Sequence, residues 1–264
     1  MAKTFEWRGG RLEAGADAPD LAVASAALPA GAYTTIRTYG GRRFVEFDEH
    51  VTRLSDSAGA PLTARELRDA VRAALDATRY PESRLRVTFA PPRLLVSVEP
   101  FLPPEAALYR DGARCVTVPL HRDRPALKDT RFLAAASSAY RSLPPGVHEG
   151  LLVADDGSLL EGLSSNLFAV IEGVLRTEGS RALPGITRSL VLEAASGLLP
   201  VDLTAPRRDE LPRASECLIT SASRGVMPVV EVDGVRVADG RPGPLTAELG
   251  RRFEARIAAE AREP

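Results

Sequence analysis

Glutamine is missing altogether from this 264-residue chain, asparagine occurs once, at Asn166, and lysine twice, at Lys3 and Lys128. Cysteine is nearly as scarce. Cys115 and Cys217 stand far apart, with no CxxC and no neighbouring histidine, which argues against a disulfide framework or a metal-ligand set and for two reduced, buried thiols. No metal is expected. No apolar run approaches the ~18 residues that a membrane span needs, and Met1-Ala2-Lys3-Thr4 does not open an apolar signal region, so a cytoplasmic protein with no membrane partner is expected. An excess of charge is lacking too: 34 basic side chains face 35 acidic ones, which gives no footprint for nucleic acid. There is no GxGxxG after a strand and no GxxxxGK[ST], which removes the usual nucleotide readings. What remains as partners are small molecules and other protein subunits.

The shortage of lysine is the most informative absence. Arginine fills almost every basic position, and with Lys3 at a terminus expected to be mobile, Lys128 is the one lysine in the body of the chain. Guanidinium stays protonated up to a pKa above about 12, whereas a buried amine can shed its proton and attack a carbonyl. A lone lysine is therefore what imine chemistry would leave behind. An incidental surface lysine accounts for composition equally well.

Apolar patterning gives the organisation. Thr34–Thr38 and Arg43–Phe47 alternate with period 2 around Gly40-Gly41 and read as a hairpin. Asp48 reads as the N-cap of a short helix carrying His50, Arg53 and Leu54. Thr63-x-x-Glu66 opens a longer helix whose Leu67, Ala70, Val71, Ala74 and Leu75 share a face. Arg84–Ala90 and Arg93–Glu99 read as strands. The polar, proline-flanked 119–125 stretch reads as a linker, so 1–118 is expected to be an N-terminal α+β domain and 126–264 a second domain. There, Phe132–Tyr140 and Thr187–Ala195 read as helices, and Gly150–Ala154, Asn166–Ile171, Cys217–Thr220 and Val226–Val232 as strands. The last helix repeats Leu245, Leu249, Phe253 and Ile257.

Four segments stand out once Lys128 is taken as an imine former: Leu127-Lys128-Asp129-Thr130-Arg131-Phe132; Leu160-Glu161-Gly162-Leu163-Ser164-Ser165-Asn166-Leu167-Phe168; Leu183-Pro184-Gly185-Ile186-Thr187-Arg188; and Thr220-Ser221-Ala222-Ser223-Arg224-Gly225 with the Val226-Met227-Pro228-Val229 strand after it. Together they offer an amine, a carboxylate, helix-start amides for an anion and, with Arg53, a cation, which is the set a pyridoxal phosphate site needs. Each alone has a bland account: Glu161 as a solvated strand end, the Pro-Gly turn as a turn, Arg53 as a surface arginine, and Asn166 as a left-handed turn residue.

In this order the segments resemble the class IV aminotransferases, the fold-type-IV pyridoxal phosphate family of branched-chain and D-amino-acid aminotransferases and aminodeoxychorismate lyase. The likeness begins at Gly31-Ala32-Tyr33-Thr34-Thr35-Ile36-Arg37, continues through His50-x-x-Arg53-Leu54 and is strongest from Lys128 to Arg188. It implies an α+β, two-domain subunit, with a small α/β N-terminal domain, a larger C-terminal pseudo-barrel, the cofactor between them and a homodimer. It further implies Lys128 for the cofactor Schiff base, Arg53 and the amides of Ile186 and Thr187 for the phosphate, and Glu161 for the ring nitrogen. Asn166 and the Ser221–Ala222 turn join the cofactor side, Tyr33 and Arg37 the substrate side. Family members commonly carry threonine where Ala222 stands, so that contact has to come from backbone, Ser221 or Ser223.

The expected activity is amino transfer between an amino acid and a 2-keto acid through a Lys128 aldimine. The alternatives are aminodeoxychorismate lyase, which shares the same core residues, and a protein that holds the cofactor without turnover.

Overall fold

Alternation of apolar and polar residues gives the first part of the chain a sheet with one apolar and one polar face. In the computed structural model, which describes residues 1–264, this sheet has five antiparallel strands. They are β1 (Lys3–Arg8), β2 (Arg11–Ala14), β3 (Ala32–Arg37), β4 (Ser83–Ala90) and β5 (Arg93–Pro100), in the order β2-β1-β5-β4-β3. Ile36, Leu85, Val87, Val96 and Val98 line the apolar face, packed in one core with side chains of α2 (Phe47–Ala58) and α3 (Ala64–Thr78). The Thr63 hydroxyl accepts from the Glu66 N–H and starts α3, whose Leu67, Ala70, Val71, Ala74 and Leu75 are all buried. Each such leucine contributes about 1.5–3 kcal/mol. The short α1 (Leu21–Ala26) lies on the polar face, where Glu99 accepts from the Leu21 N–H and Arg86 donates to Leu21 O and Ser25 Oγ.

Three expectations for this region are corrected. β3 pairs with β4, from Ala32 opposite Phe89 to Arg37 opposite Arg84, and not with residues 43–47. Phe44, Val45 and Phe47 are all buried, so that stretch packs as a cluster and cannot alternate between faces, and Phe47 already opens α2. The cap of α2 is Glu46 in the left-handed region, with Asp48 inside the first turn. Lys3 belongs to β1, opposite Val98, because the exposed edge of β5 captures it by backbone pairing.

The second unit comprises α4 (Ala106–Asp111), β6 (Ala113–Val118), most of α5 (Thr130–Arg141), β7 (Glu149–Val153), β8 (Leu159–Gly162), β9 (Asn166–Ile171), β10 (Val174–Arg176), α6 (Ile186–Ala194), β11 (Val201–Asp202), β12 (Ala214–Ser221), β13 (Gly225–Val232), β14 (Val235–Arg236) and most of α7 (Pro244–Glu260). Its sheet runs β11-β10-β9-β12-β13-β6-β7-β8, and β8 pairs back onto β9, closing a ring filled by Cys115, Leu151, Leu159, Leu167, Cys217 and Ile219. Closure removes exposed edges, and this is the pseudo-barrel that the fold class implied. Both oxygens of the buried Glu216 cap α7 at the Leu245 and Thr246 amides; Leu249, Phe253 and Ile257 are buried, and Leu245 is half-buried.

The units do not divide at 119–125. One holds 1–102, 127–134 and 257–264, the other 103–126 and 135–256. β6 pairs with β13 and β7 and so belongs to the second sheet. The Lys128 segment instead joins the free edge of β3, with Asp129 bridging to Ala32, and Arg262 bridges to Phe44. Unpaired strand edges recruit backbone without regard to order along the chain.

Candidate active site

Lys128 is pinned on both sides of its side chain. Its N–H donates to Ser57 Oγ of α2 at 3.0 Å and its carbonyl accepts from the Tyr33 N–H at 2.9 Å. The Thr130 N–H donates to Gly31 O at 2.9 Å and Thr130 Oγ1 accepts from the Gly31 N–H at 2.9 Å. A Cβ on Gly31 would stand 2.5 Å from Phe89 O, so glycine is needed where this segment and β4 both crowd the strand. Immediately after, Asp129 accepts from the Arg131 and Phe132 amides and starts α5. The amine thus projects from an irregular segment bridged to β3 just before a helix start, and its Nζ lies 4.8 Å from the centre of the Tyr33 ring.

Arg53 is in the same unit and is oriented by a relay that the sequence did not reveal. Its Nη2 donates to Thr34 Oγ1 at 2.8 Å, and Thr34 Oγ1 lies 2.7 Å from Nδ1 of the fully buried His50. Burial first, then the charges of Arg53 and Lys128, push the His50 pKa well below the usual histidine range. A neutral imidazole with Nδ1 bare accepts the threonine proton, so the threonine lone pair faces Arg53. Arg37 is not brought to Lys128. It lies four residues past Tyr33, about 14 Å at the ~3.4 Å rise of a strand, where it pairs with Glu82 and stacks over Phe101 and Tyr39.

Glu161, Asn166 and Thr220 stand directly opposite one another on β8, β9 and β12. Glu161 is 2% exposed, the reverse of a solvated strand end. Its Oε1 accepts from Arg122 Nε at 2.7 Å and its Oε2 from the Leu183 N–H at 3.2 Å. Arg122 falls in the 119–125 stretch that reads as a linker, and nothing in its spacing marks it as the buried partner of Glu161. Asn166 begins β9 and is not left-handed; its Nδ2 donates to Leu183 O at 2.7 Å. Glu161 and Asn166 therefore hold the Leu183-Pro184-Gly185 turn, and α6 starts from it at Ile186 and Thr187 with no side chain capping its first amides. The Ser221–Ala222 turn follows Thr220 at the same end of the sheet, with Ser221 Oγ accepting from the N–H and Nε of Arg224.

Residues 31–232 match the model of the family described as amino-transferase class IV. The chain belongs to that family. It is 30% identical over 249 residues to the Methanocaldococcus jannaschii protein assigned as a branched-chain-amino-acid aminotransferase, covering 85% of this chain and 86% of the relative. To the D-alanine aminotransferase of Bacillus licheniformis it is 28% identical over 253 residues, covering 87% and 88%. The branched-chain aminotransferase of Thermoproteus uzoniensis, crystallised with norvaline, has the same fold, with a TM-score of 0.80, 25% identity, and 98% and 96% coverage. The chain is a pyridoxal phosphate-dependent aminotransferase. These relatives are named as aminotransferases, which weighs against the lyase alternative.

The residues fit the cofactor. A Cβ on Gly185 would fall well inside the 3.0 Å that such atoms keep from their neighbours, against Asn166 Oδ1, so the helix start is shaped by a glycine that leaves its backbone bare. Bare first-turn amides suit a phosphate, a buried carboxylate suits a protonated ring nitrogen, and a half-buried amine suits an aldehyde.

Proposed function

We propose that the chain moves the amino group of an aliphatic amino acid to a 2-keto acid, with Lys128 as the residue that takes the cofactor covalently and then shuttles the proton. The observation that carries this is the setting of Lys128 Nζ, the one amine in the body of the chain, held over the Tyr33 ring by a backbone tied to both Ser57 and β3. Pyridoxal phosphate, when bound, supplies an aldehyde for the incoming amine and a cationic ring that withdraws electrons. Arg53 and the amides of Ile186, Thr187 and the Ser221–Ala222 turn would hold its phosphate. Glu161 would keep its ring nitrogen protonated. Lys128 Nζ would serve as the base that removes the proton from the substrate Cα and delivers it to the carbon that had been the aldehyde, so that the amino group stays behind when the 2-keto acid leaves. The Tyr33 ring beside Nζ steadies the amine in its protonated form. Arg37 is left out of the substrate side because its charge is engaged by Glu82.

An aliphatic donor is favoured because the relatives are branched-chain and D-alanine aminotransferases. We further read the enzyme as a cytoplasmic homodimer. No helix is long and apolar enough to cross a membrane, and the family likeness implies the dimer.

Borohydride reduction of the loaded enzyme followed by peptide mapping should place the pyridoxyl label on Lys128, and a panel of L- and D-amino donors with 2-oxoglutarate should find turnover with aliphatic side chains. A label elsewhere would end the proposal. Turnover confined to polar donors would overturn the substrate class.

A further inference from the structure

Two hairpin turns meet at one end of the second sheet. Asn166 stands opposite both Glu161 and Thr220, so the turn joining β8 to β9 and the turn joining β12 to β13 lie side by side. β7 begins at the same end, since Leu151 pairs with Gly162, and its first residue is Glu149. Glu149 is 0% exposed, yet donors surround it. Its Oε1 accepts from the Tyr140 hydroxyl and from the Gly150 N–H; its Oε2 accepts from Ser165 Oγ at 2.9 Å and from Arg224 Nη2 at 2.5 Å. Gly162 makes the room, because a Cβ there would lie 2.9 Å from the Glu149 carboxyl carbon. Arg224 reaches both turns at once: Nη2 donates to Ser164 Oγ at 2.6 Å and Nε to Ser221 Oγ at 3.3 Å. Burial works against its charge, and the adjoining Glu149 carboxylate outweighs burial and raises the guanidinium pKa.

A buried ion pair is often no more stabilising than apolar side chains of the same size. What a planar guanidinium supplies that leucine or methionine cannot is a rigid fork between fixed acceptors. We propose that Arg224 and Glu149 are positioning residues that lock the 222–224 turn against the 163–165 turn, so that the Ser221 hydroxyl and the Ala222 amide face the cofactor phosphate. The inference rests on the pyridoxal phosphate reading of this site. It accounts for how the turn manages with alanine at 222. Ser221 Oγ accepts from Arg224, which leaves its own O–H to be donated to an anion.

The test compares wild type, Arg224→Met, Arg224→Lys and Glu149→Gln by three readouts: titration of apoenzyme with pyridoxal phosphate, the phosphorus NMR signal of the bound cofactor, and the thermal midpoint. Arg224→Met should raise the dissociation constant at least tenfold and move the phosphorus resonance, with the visible band keeping its position because Lys128 and Glu161 are intact. Arg224→Lys keeps a positive charge beside Glu149 but has no second N–H in the fork for Ser221; it should melt within a few degrees of wild type and still bind at least fivefold more weakly. Dissociation constants within twofold of wild type and an unmoved phosphorus signal in both arginine variants would overturn the proposal, whatever happens to the melting temperature. Should Arg224→Met not fold, Arg224→Lys and Glu149→Gln carry the same readouts. A wild type with no visible band and no label on Lys128 would instead sink the reading of the site itself.

Discussion

Gly185 and Asn166 are matched to each other: the asparagine amide oxygen occupies the space where any other residue at 185 would carry its Cβ, while the amide nitrogen holds Leu183 O at 2.7 Å. The single asparagine in the chain thus sets the start of α6. Gly185→Ala should force the pair apart, costing about 1–3 kcal/mol by overpacking. Cofactor affinity should fall more steeply than stability, because the amides of Ile186 and Thr187 move with the turn. Calorimetry and cofactor titration on the same samples separate the two effects, and an alanine variant with wild-type affinity would contradict this role.

Ala222→Thr should tighten cofactor binding. The added hydroxyl offers one hydrogen bond to a charged group, worth roughly 1.5–3 kcal/mol, or about one to two orders of magnitude in the dissociation constant. Equilibrium titration reads it directly. No change would mean that the turn is already saturated by its own hydroxyls and amides.

Arg122→Met should be strongly destabilising, because the Glu161 carboxyl, 2% exposed, then loses the guanidinium at 2.7 Å. Breaking one partner of such a pair typically costs about 3–5 kcal/mol. The double change Arg122→Met with Glu161→Leu should recover most of that loss in urea melts while leaving turnover low, since the carboxylate assigned to the cofactor ring is gone. Full activity in the double variant would remove Glu161 from the site.

Acidification should weaken the fold through His50. Its folded pKa is depressed by burial and by the neighbouring cations, so between that value and about 6.5 the unfolded chain binds a proton that the folded chain does not. The stability it contributes is whole above about pH 6.5 and is lost as pH falls toward the depressed value. His148, shifted the same way mainly by burial, adds to the trend. Urea midpoints measured from pH 7.5 to 5 should therefore drop in wild type and drop less in His50→Asn; parallel profiles would rule His50 out as the cause.

Both thiols should be inert in the native enzyme. Burial pushes Cys217 up to about 12 and Cys115 well above the ordinary thiol range. At pH 8 a thiol of pKa 12 is about one part in ten thousand thiolate. A chromogenic disulfide reagent should label neither until denaturant is added, and labelling at native rates would show that the ring interior opens.

Much of this was legible in the residue pattern, and the exceptions have a common cause. Periodicity found the buried face of α3, because burial on one side writes itself into local spacing, and an apolar run found β9, which is buried along its whole length. The segments around Lys128, Glu161 and Ile186 were legible because each combines chemistry with a nearby turn. The hairpin over 34–47, the membership of β6 and the placement of Lys3 were not, because they depend on which strand edge remains open once the others have paired. Arg122, Glu149 and Arg224 were hidden for a further reason. In a chain whose basic residues are almost all arginine, a buried guanidinium looks like every other one. Only the carboxylate it meets, often far away along the chain, distinguishes it.

Pairing of Asp129 with Ala32 has a consequence for biosynthesis. The outer edge of β3 is covered only by residues translated long after that strand, so the attachment nitrogen is seated on a sheet whose five strands are already made. The residues assigned to the cofactor run from Arg53 to Ala222, and a nascent chain would lack a loaded centre until that whole stretch had been translated. Coupling assembly to synthesis of that stretch would keep products truncated within it from capturing a reactive aldehyde.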